Sequence, residues 1–250
     1  MRILISNDDG INAPGLACLE TIAGELSDDV WVVAPETEQS GKGHAVSLRT
    51  PVRLRQLSER RFAVDGTPGD CVMMGLRHVL DQPADLVLSG VNRGSNVADD
   101  VTYSGTVAAA MEATLLGVPA MAFSQDYRNR LVHWDTARSH GPDVIRRLLD
   151  TGWPEGVLIN VNFPAVEPGA VAGVSICRQG QHDFSKQRPV KRSDPFGYDY
   201  FWMAGWGLDL EATKAGTDLR ALAEGRVAVT PISLDMTDNQ TMESLTARFA

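Results

Sequence analysis

Cysteine is scarce in this 250-residue chain. Cys18, Cys71 and Cys177 are an odd, scattered set without CxxC spacing, which argues against both a disulfide framework and a thiolate zinc site. Packing is the role their spacing leaves. No apolar run is long enough to span a bilayer. The first fifteen residues lack the succession of charged leader, apolar stretch and small-residue cleavage site that marks a secretory signal, so a cytoplasmic location with no membrane partner is expected. Positive charge is also short. Lys and Arg number 23 against 32 Asp and Glu, a net charge of −9, so the overall field repels long polyanions and no stable nucleic-acid complex is expected. A small phosphorylated ligand remains compatible, because a bound cation and local backbone N–H groups dominate at short range. The local exception is a polar stretch with Arg178, Lys186, Arg188, Lys191 and Arg192, readable as a solvated arm, a substrate rim or an oligomer contact.

Two nucleotide signatures are missing as well. A dinucleotide fingerprint would fall between the first strand and first helix, but that place reads SNDDGINAPG and sets two negative charges where a pyrophosphate must approach. There is no Walker loop, and adjacent Asp8 and Asp9 do not match the Asp-x-Asp spacing of aspartyl-nucleophile phosphatases. Repeats and low-complexity tracts are absent. With 43% apolar and 22% charged residues, the chain has the composition of an ordinary globular protein, long enough for one large domain without staples.

What is present alternates strand and helix. RILIS at 2–6 and DVWVVAP at 29–35 read as strands, and 14–26 reads as a helix begun at Pro14 with Leu16, Leu19, Ile22, Ala23 and Leu26 on one face. That order is the βαβ unit of a parallel sheet. Residues 44–57 and 60–66 alternate as a hairpin or meander annexed to the sheet. A helix over 67–80 begins at Thr67 and Pro68 with Asp70 in its first turn. Strands follow at 83–90, 118–124 and 157–164, with helices at 104–117 and 134–150, the latter despite Gly141 and Pro142. From about residue 165 the rhythm changes to short β segments at 171–179, 198–206 and 225–233. The expected class is therefore α/β, a mostly parallel sheet with hairpin and β-rich C-terminal extensions. The division expected is a 1–164 α/β core and a 165–250 extension within one domain.

Ligands of such sheets bind beyond the carboxyl ends of the strands. The first three main strands deliver there Asp8 and Asp9, then Ser40 with Gly41, then Asn92, all but the glycine offering side-chain oxygen donors. Two readings fit Asp8 and Asp9. They form a capped turn of the kind Asp and Asn favour, or they hold a hard divalent cation such as Mg²⁺ or Mn²⁺, provided that Gly10 lets the chain turn so that both converge. The helix start at Ser104, Gly105 and Thr106 fits an anion site of exposed N–H groups and hydroxyls, with Asn96 adding an amide. It fits an ordinary cap equally well. Smaller candidates are His44 for acid–base work, Asp99 and Asp100 as loop-fixing or water-binding residues, and Glu112 as a solvated or locally paired side chain. Tyr198, Tyr200, Phe201, Trp202 and Trp206 form an aromatic segment for core or subunit packing, or for base stacking.

Taken together, NDDG at 7–10, APG at 13–15, Ser40-Gly41, DGTPGDC at 65–71, SGVNRGSN at 89–96, DDVTYSGTVAAAMEA at 99–113 and TPISLDMTD at 230–238 resemble the SurE family of survival-protein nucleotidases. The resemblance spans nearly the whole chain. It implies a Rossmann-like three-layer fold in which one β-hairpin extension is exchanged between subunits of a homodimer or homotetramer, and so makes 165–250 the oligomerisation region. It also implies a divalent-metal-dependent phosphomonoesterase for nucleoside 5′- and 3′-monophosphates, with exopolyphosphatase activity on short chains in some members. One Mg²⁺ or Mn²⁺ per subunit would be held by Asp8, Asp9, Ser40 and Asn92, with Asp8 and Asp9 catalytic, and phosphate by Asn96, Ser104, Gly105 and Thr106. The ETEQ before Ser40 and the RGSN at 93–96 depart from forms frequent in relatives, which touches the rim and no proposed ligand. A transferase holding a nucleoside diphosphate and a non-catalytic nucleotide sensor are the alternatives that the acidic pair and the anion site also suit.

Overall fold

The computed structural model describes residues 1–184, 188–203 and 213–249. Lys186 of the basic stretch and Trp206 of the aromatic segment lie outside the described residues. Strand β1 (Arg2–Ser6) is buried from Ile3 onward, as a central strand covered on both faces must be. Helix α1 (Pro14–Gly24) starts on Pro14 and buries Leu16, Leu19 and Ile22. Next come β2 (Asp29–Pro35), β3 (Leu54–Ser58), β4 (Arg61–Val64) and α2 (Pro68–Met74). Thr67 and Asp70 close a reciprocal capping box at the α2 start, satisfying N–H groups that the helix leaves unpaired.

The chain continues through β5 (Leu86–Arg93), α3 (Gly105–Leu115), β6 (Ala120–Gln125) and a two-stranded turn of β7 (Tyr127–Arg128) and β8 (Leu131–Val132). Helix α4 (Trp134–Thr151) runs unbroken through Pro142, and β9 (Val157–Phe163) follows. Among the described residues the chain ends with β10 (Val174–Ile176), β11 (Val190–Ser193), β12 (Asp199–Trp202), α5 (Asp218–Ala223), β13 (Val227–Ser233) and α6 (Asn239–Phe249).

The main sheet has nine strands in the order β10-β13-β9-β6-β5-β1-β2-β4-β3. All neighbours are parallel except β13 with β9 and β3 with β4. One core holds α1 and α4 against one sheet face, and a second holds α2 and α3 against the other. The result is the three-layer α/β fold expected. Strand β1 lies between β2 and β5, so the winding reverses there and opens a crevice at the carboxyl ends of β1 and β5.

Four local expectations are corrected. Residues 44–53 are irregular, so the hairpin is only 54–58 with 61–64. The helix expected over 67–80 changes to a wider π turn at Gly75–Val79. Strands β10 and β13 join the main sheet at its β9 edge, while β11 and β12 form a separate antiparallel ribbon. Helices α5 and α6 were not legible: α5 is six residues long, and α6 buries no residue, so neither shows the apolar stripe by which a packed helix is read. No helix among the described residues is long and apolar enough to cross a membrane. All three cysteines are free and buried.

Candidate active site at the β1–β5 switch point

The turn after β1 is built by Asn7. Its side-chain nitrogen donates to Gly10 O at 3.0 Å and its oxygen accepts from Gly10 N at 3.2 Å. Gly10 sits at φ +101°, a conformation that a side chain makes costly. The tight turn brings Asp8 and Asp9 to the same cleft, which a regular strand would not do. The loop after β2 is tied to this turn by Gln39 N, which donates to Asp8 O at 2.7 Å, and so delivers Ser40. From the other side, β5 is irregular against β6 between Ser89 and Asn92. Such irregularities re-aim side chains, and Asn92 reaches the cleft.

That cleft encloses 1610 Å³ and its walls include Asp8, Asp9, Ser40, Asn92, Asn96 and Ser104. Gly105 and Thr106 are placed differently. Thr106 is fully buried, and its hydroxyl donates to Asp8 Oδ1. The Gly105 and Thr106 backbone N–H groups also favour the ionised Asp8 carboxyl, so the start of α3 supports Asp8 from behind. Ser104 caps α3 by accepting from Val107 N at 3.1 Å. Asn96 is held by its backbone: its N–H donates to Asn162 Oδ1 at 2.7 Å, and its carbonyl accepts from Asn160 and Asn162 at 2.8 and 3.1 Å. Its side-chain nitrogen donates to Ser124 Oγ at 2.8 Å.

Burial pushes the Asp8 carboxyl up, against the opposing effect of the Thr106 and backbone donors. Asp9 is pushed up to about 6 by burial and then by the neighbouring Asp8 charge. A cation would relieve that excess of negative charge. Among the described residues no three His, Cys, Asp or Glu side chains cluster as metal ligands, so a cation here rests on two carboxylates and neutral oxygens. Asn92 suits this, since its nitrogen is committed to Gly94 O at 2.9 Å and its oxygen is the end left to face a cation. Ser40 donates to Glu38 Oε1 at 2.9 Å, which keeps its oxygen lone pairs available. The donors therefore fit a hard, oxygen-seeking divalent ion.

The smaller candidates separate. His44 lies off the cleft lining, with Nε2 3.0 Å from Glu112 Oε2. Glu112 is buried rather than solvated, and its partner is 68 residues away. Asp99 fixes a loop, its Oδ2 accepting from His182 N at 2.7 Å, whereas Asp100 lines the cleft. Tyr198, Tyr200, Phe201 and Trp202 are exposed, so they are not core of this chain.

Sequence reasoning passed over Asp126, Tyr127, Arg130 and Trp134, which line the cleft, and Asp218, which braces the adjoining loop. Asp126 and Tyr127 directly follow β6, a strand-end position that could have flagged them. Arg93 lies over the Tyr127 ring at 5.5 Å. Asp218 accepts from Ala98 N and Gly180 N at 2.8 Å each, contacts between distant segments that carry no local signal.

Residues 3–186 match the family model described as survival protein SurE. The chain is 55% identical over 254 residues to the 5′-nucleotidase SurE of Methylobacterium radiotolerans, covering 100% of both chains. It is 52% identical to the 5′-nucleotidase SurE of Caulobacter vibrioides, covering 98% of this chain and 95% of that one. Among solved structures, the SurE protein from Aquifex aeolicus superposes with a TM-score of 0.85 at 36% identity, covering 100% of both chains. With a family model matching most of its length and relatives this similar from end to end, the chain belongs to the SurE family.

Proposed function

We propose that this chain hydrolyses nucleoside 5′- and 3′-monophosphates to nucleoside and phosphate, using one Mg²⁺ or Mn²⁺ per subunit held by Asp8, Asp9, Ser40 and Asn92. The observation that carries the reading is the pair of carboxylates at the switch point, in one cleft with the start of α3, in a chain 55% identical to a 5′-nucleotidase. Such a cation, when bound, polarises a phosphoryl oxygen and makes a nearby water more acidic. Asp8 and Asp9 are the catalytic carboxylates, with Asp8 orienting the attacking water and accepting its proton. Asn96 and Ser104 bind phosphate oxygens from the cleft wall. Gly105 and Thr106 complete the phosphate pocket and hold Asp8 in register with it.

Tyr127 and Trp134 on the same cleft offer faces for a nucleobase. Arg93 and Arg130 on its rim favour additional phosphates, which supports short-chain polyphosphate as a second substrate. We assign catalysis to the 1–164 core and oligomer contacts to 165–250, forming a homodimer or homotetramer. The exposed aromatic residues of the β11–β12 ribbon support that assignment, and the composition supports a cytoplasmic setting.

Phosphate release from a panel of 5′- and 3′-monophosphates and from tripolyphosphate, with Mg²⁺ or Mn²⁺ and then with chelator, tests the reading. Metal-dependent release from nucleotides is expected. Binding without release would favour a nucleotide sensor, and phosphoryl transfer to an added acceptor would favour a transferase.

A further inference from the structure

A ribose oxygen leaving phosphorus needs a proton, because an alkoxide is a poor leaving group at neutral pH. The residues assigned above hold cation, water and phosphate. The turn at Ala98–Thr102 that leads into α3 brings another carboxyl to the same cleft, that of Asp100. Ser104 N donates to Asp100 O at 3.0 Å, so Asp100 sits one turn ahead of the helix start where phosphate is proposed to bind. Behind it lies an imidazole: His182 Nε2 is 3.1 Å from Asp100 Oδ2, with side-chain exposures of 10% and 24%. The approach is oblique, and Nε2 is buried with no better-aligned partner among the described residues.

The placement of this imidazole is fixed from several directions. His182 N donates to Asp99 Oδ2 at 2.7 Å and Gln179 Nε2 donates to Ala98 O at 2.8 Å. Asp218 joins both segments by accepting from Ala98 N and Gly180 N. Residues 179–182 are thus stapled to the 98–100 turn, and the outcome of that stapling is an imidazole against a cleft carboxyl.

We propose that Asp100 is the general acid of the hydrolysis and that His182 is the positioning residue that restores its proton. This rests on the nucleotidase reading above. As the water oxygen bonds to phosphorus, the bond from phosphorus to the nucleoside oxygen breaks and its electron pair stays on that oxygen. The oxygen takes the proton of the Asp100 carboxyl and leaves as the nucleoside hydroxyl. The Asp100 carboxylate regains a proton from the His182 imidazolium, which recovers one from solvent, and the attacking water gives its own proton to the Asp8 carboxylate. The charged groups around Asp100 are His182, Asp99 and Asp218. Burial pushes the Asp100 carboxyl up, the imidazolium opposes this, and the two carboxylates reinforce it. Asp126 is a further acid of the cleft; burial pushes its carboxyl up against the Tyr127 N–H and Arg128, but the imidazole stands against Asp100.

The test compares 5′-AMP, whose leaving oxygen needs a proton, with p-nitrophenyl phosphate, whose phenolate does not. For Asp100→Asn the expected result is a kcat on 5′-AMP lower by about 100- to 10,000-fold, with p-nitrophenyl phosphate turnover within about fivefold of the wild type. Mn²⁺ binding and the melting temperature stay near wild-type values. His182→Gln is expected to lower kcat on 5′-AMP by about tenfold without raising KM, and to move the alkaline limb of the kcat profile to higher pH, as the imidazolium that favours the ionised carboxyl is gone. Equal loss on both substrates in a folded Asp100→Asn protein overturns the proposal, as does finding the split in Asp126→Asn instead. If Asp100→Asn does not fold, His182→Gln decides in the same way: selective loss on 5′-AMP supports the proposal and equal loss overturns it. Wild-type protein inert on both substrates overturns the nucleotidase reading too. Wild-type activity without a split overturns only the acid assignment.

Discussion

Thr106, in the first turn of α3, donates its hydroxyl hydrogen bond to Asp8 Oδ1 across 98 positions of sequence. The bond fixes a buried carboxylate whose remaining faces belong to the cleft. Thr106→Val keeps the shape and removes the donor. It is expected to weaken Mn²⁺ binding by about 10- to 100-fold, the usual cost of losing the group that orients a metal ligand, while Thr106→Ser restores it. Calorimetric titration of the two variants checks this, and unchanged affinity in Thr106→Val would remove Asp8 from the ligand set.

Gly105 is required by proximity. A Cβ there would lie 2.7 Å from Asp8 Cβ, closer than packed carbon atoms approach. Gly105→Ala is therefore expected to lose about 1–3 kcal/mol of stability, as an overpacked site does, and to displace Asp8. Urea unfolding with a parallel activity assay would reveal both effects, and a fully active, fully stable Gly105→Ala protein would show that the helix start yields easily.

Asp9 links stability to pH. Its carboxyl is pushed up to about 6 by burial and by Asp8, above the roughly 3.9 of an unfolded chain. Protonated Asp9 is thus the form favoured by the metal-free fold, and its stabilisation is fully present below about pH 4 and lost as pH rises through about 6. The loss is on the order of 2 kcal/mol. Asp9→Asn should melt above the metal-free wild type at pH 7.5 and converge with it near pH 4, and divalent cation should raise the melting temperature of the wild type more. Parallel melting curves across this range would contradict the account.

Asp218 holds a loop it does not belong to. It accepts 2.8 Å bonds from Ala98 N, Gly180 N and Leu219 N, and Ala98 has the unfavourable φ of 51°. Asp218→Ala leaves buried donors unpaired, at a cost of about 1–3 kcal/mol each. A lowered melting temperature is expected, together with faster amide exchange across 96–104. Unchanged exchange there would mean that the loop is held by its own turn.

The parallel core was legible because its strands are continuous apolar runs and its helices carry an apolar face. Asp8, Asp9, Ser40, Asn92, Asn96 and Ser104 were legible as cleft residues because each follows or closes a strand, or opens a helix, at the carboxyl edge of the sheet. That Thr106 and the Gly105 N–H serve Asp8 was not legible, since helix-start hydroxyls and N–H groups look the same whether they face a ligand or a carboxylate. The parts played by Asp126, Trp134 and Asp218 depend on contacts made only after β6, α4 and α5 have packed. That β10 and β13 join the β9 edge of the main sheet was not legible, because β10 is short and β13 contains Pro231, features of edge strands that local reading cannot attach to a particular sheet.

The most direct measurement is phosphate release from 5′-AMP by wild-type protein and Asp9→Asn, each with Mn²⁺ and with excess chelator. The account predicts release by the wild type with Mn²⁺, none with chelator, and loss of at least about 100-fold in Asp9→Asn. Release that survives chelation, or an Asp9→Asn protein as active as the wild type, would contradict it.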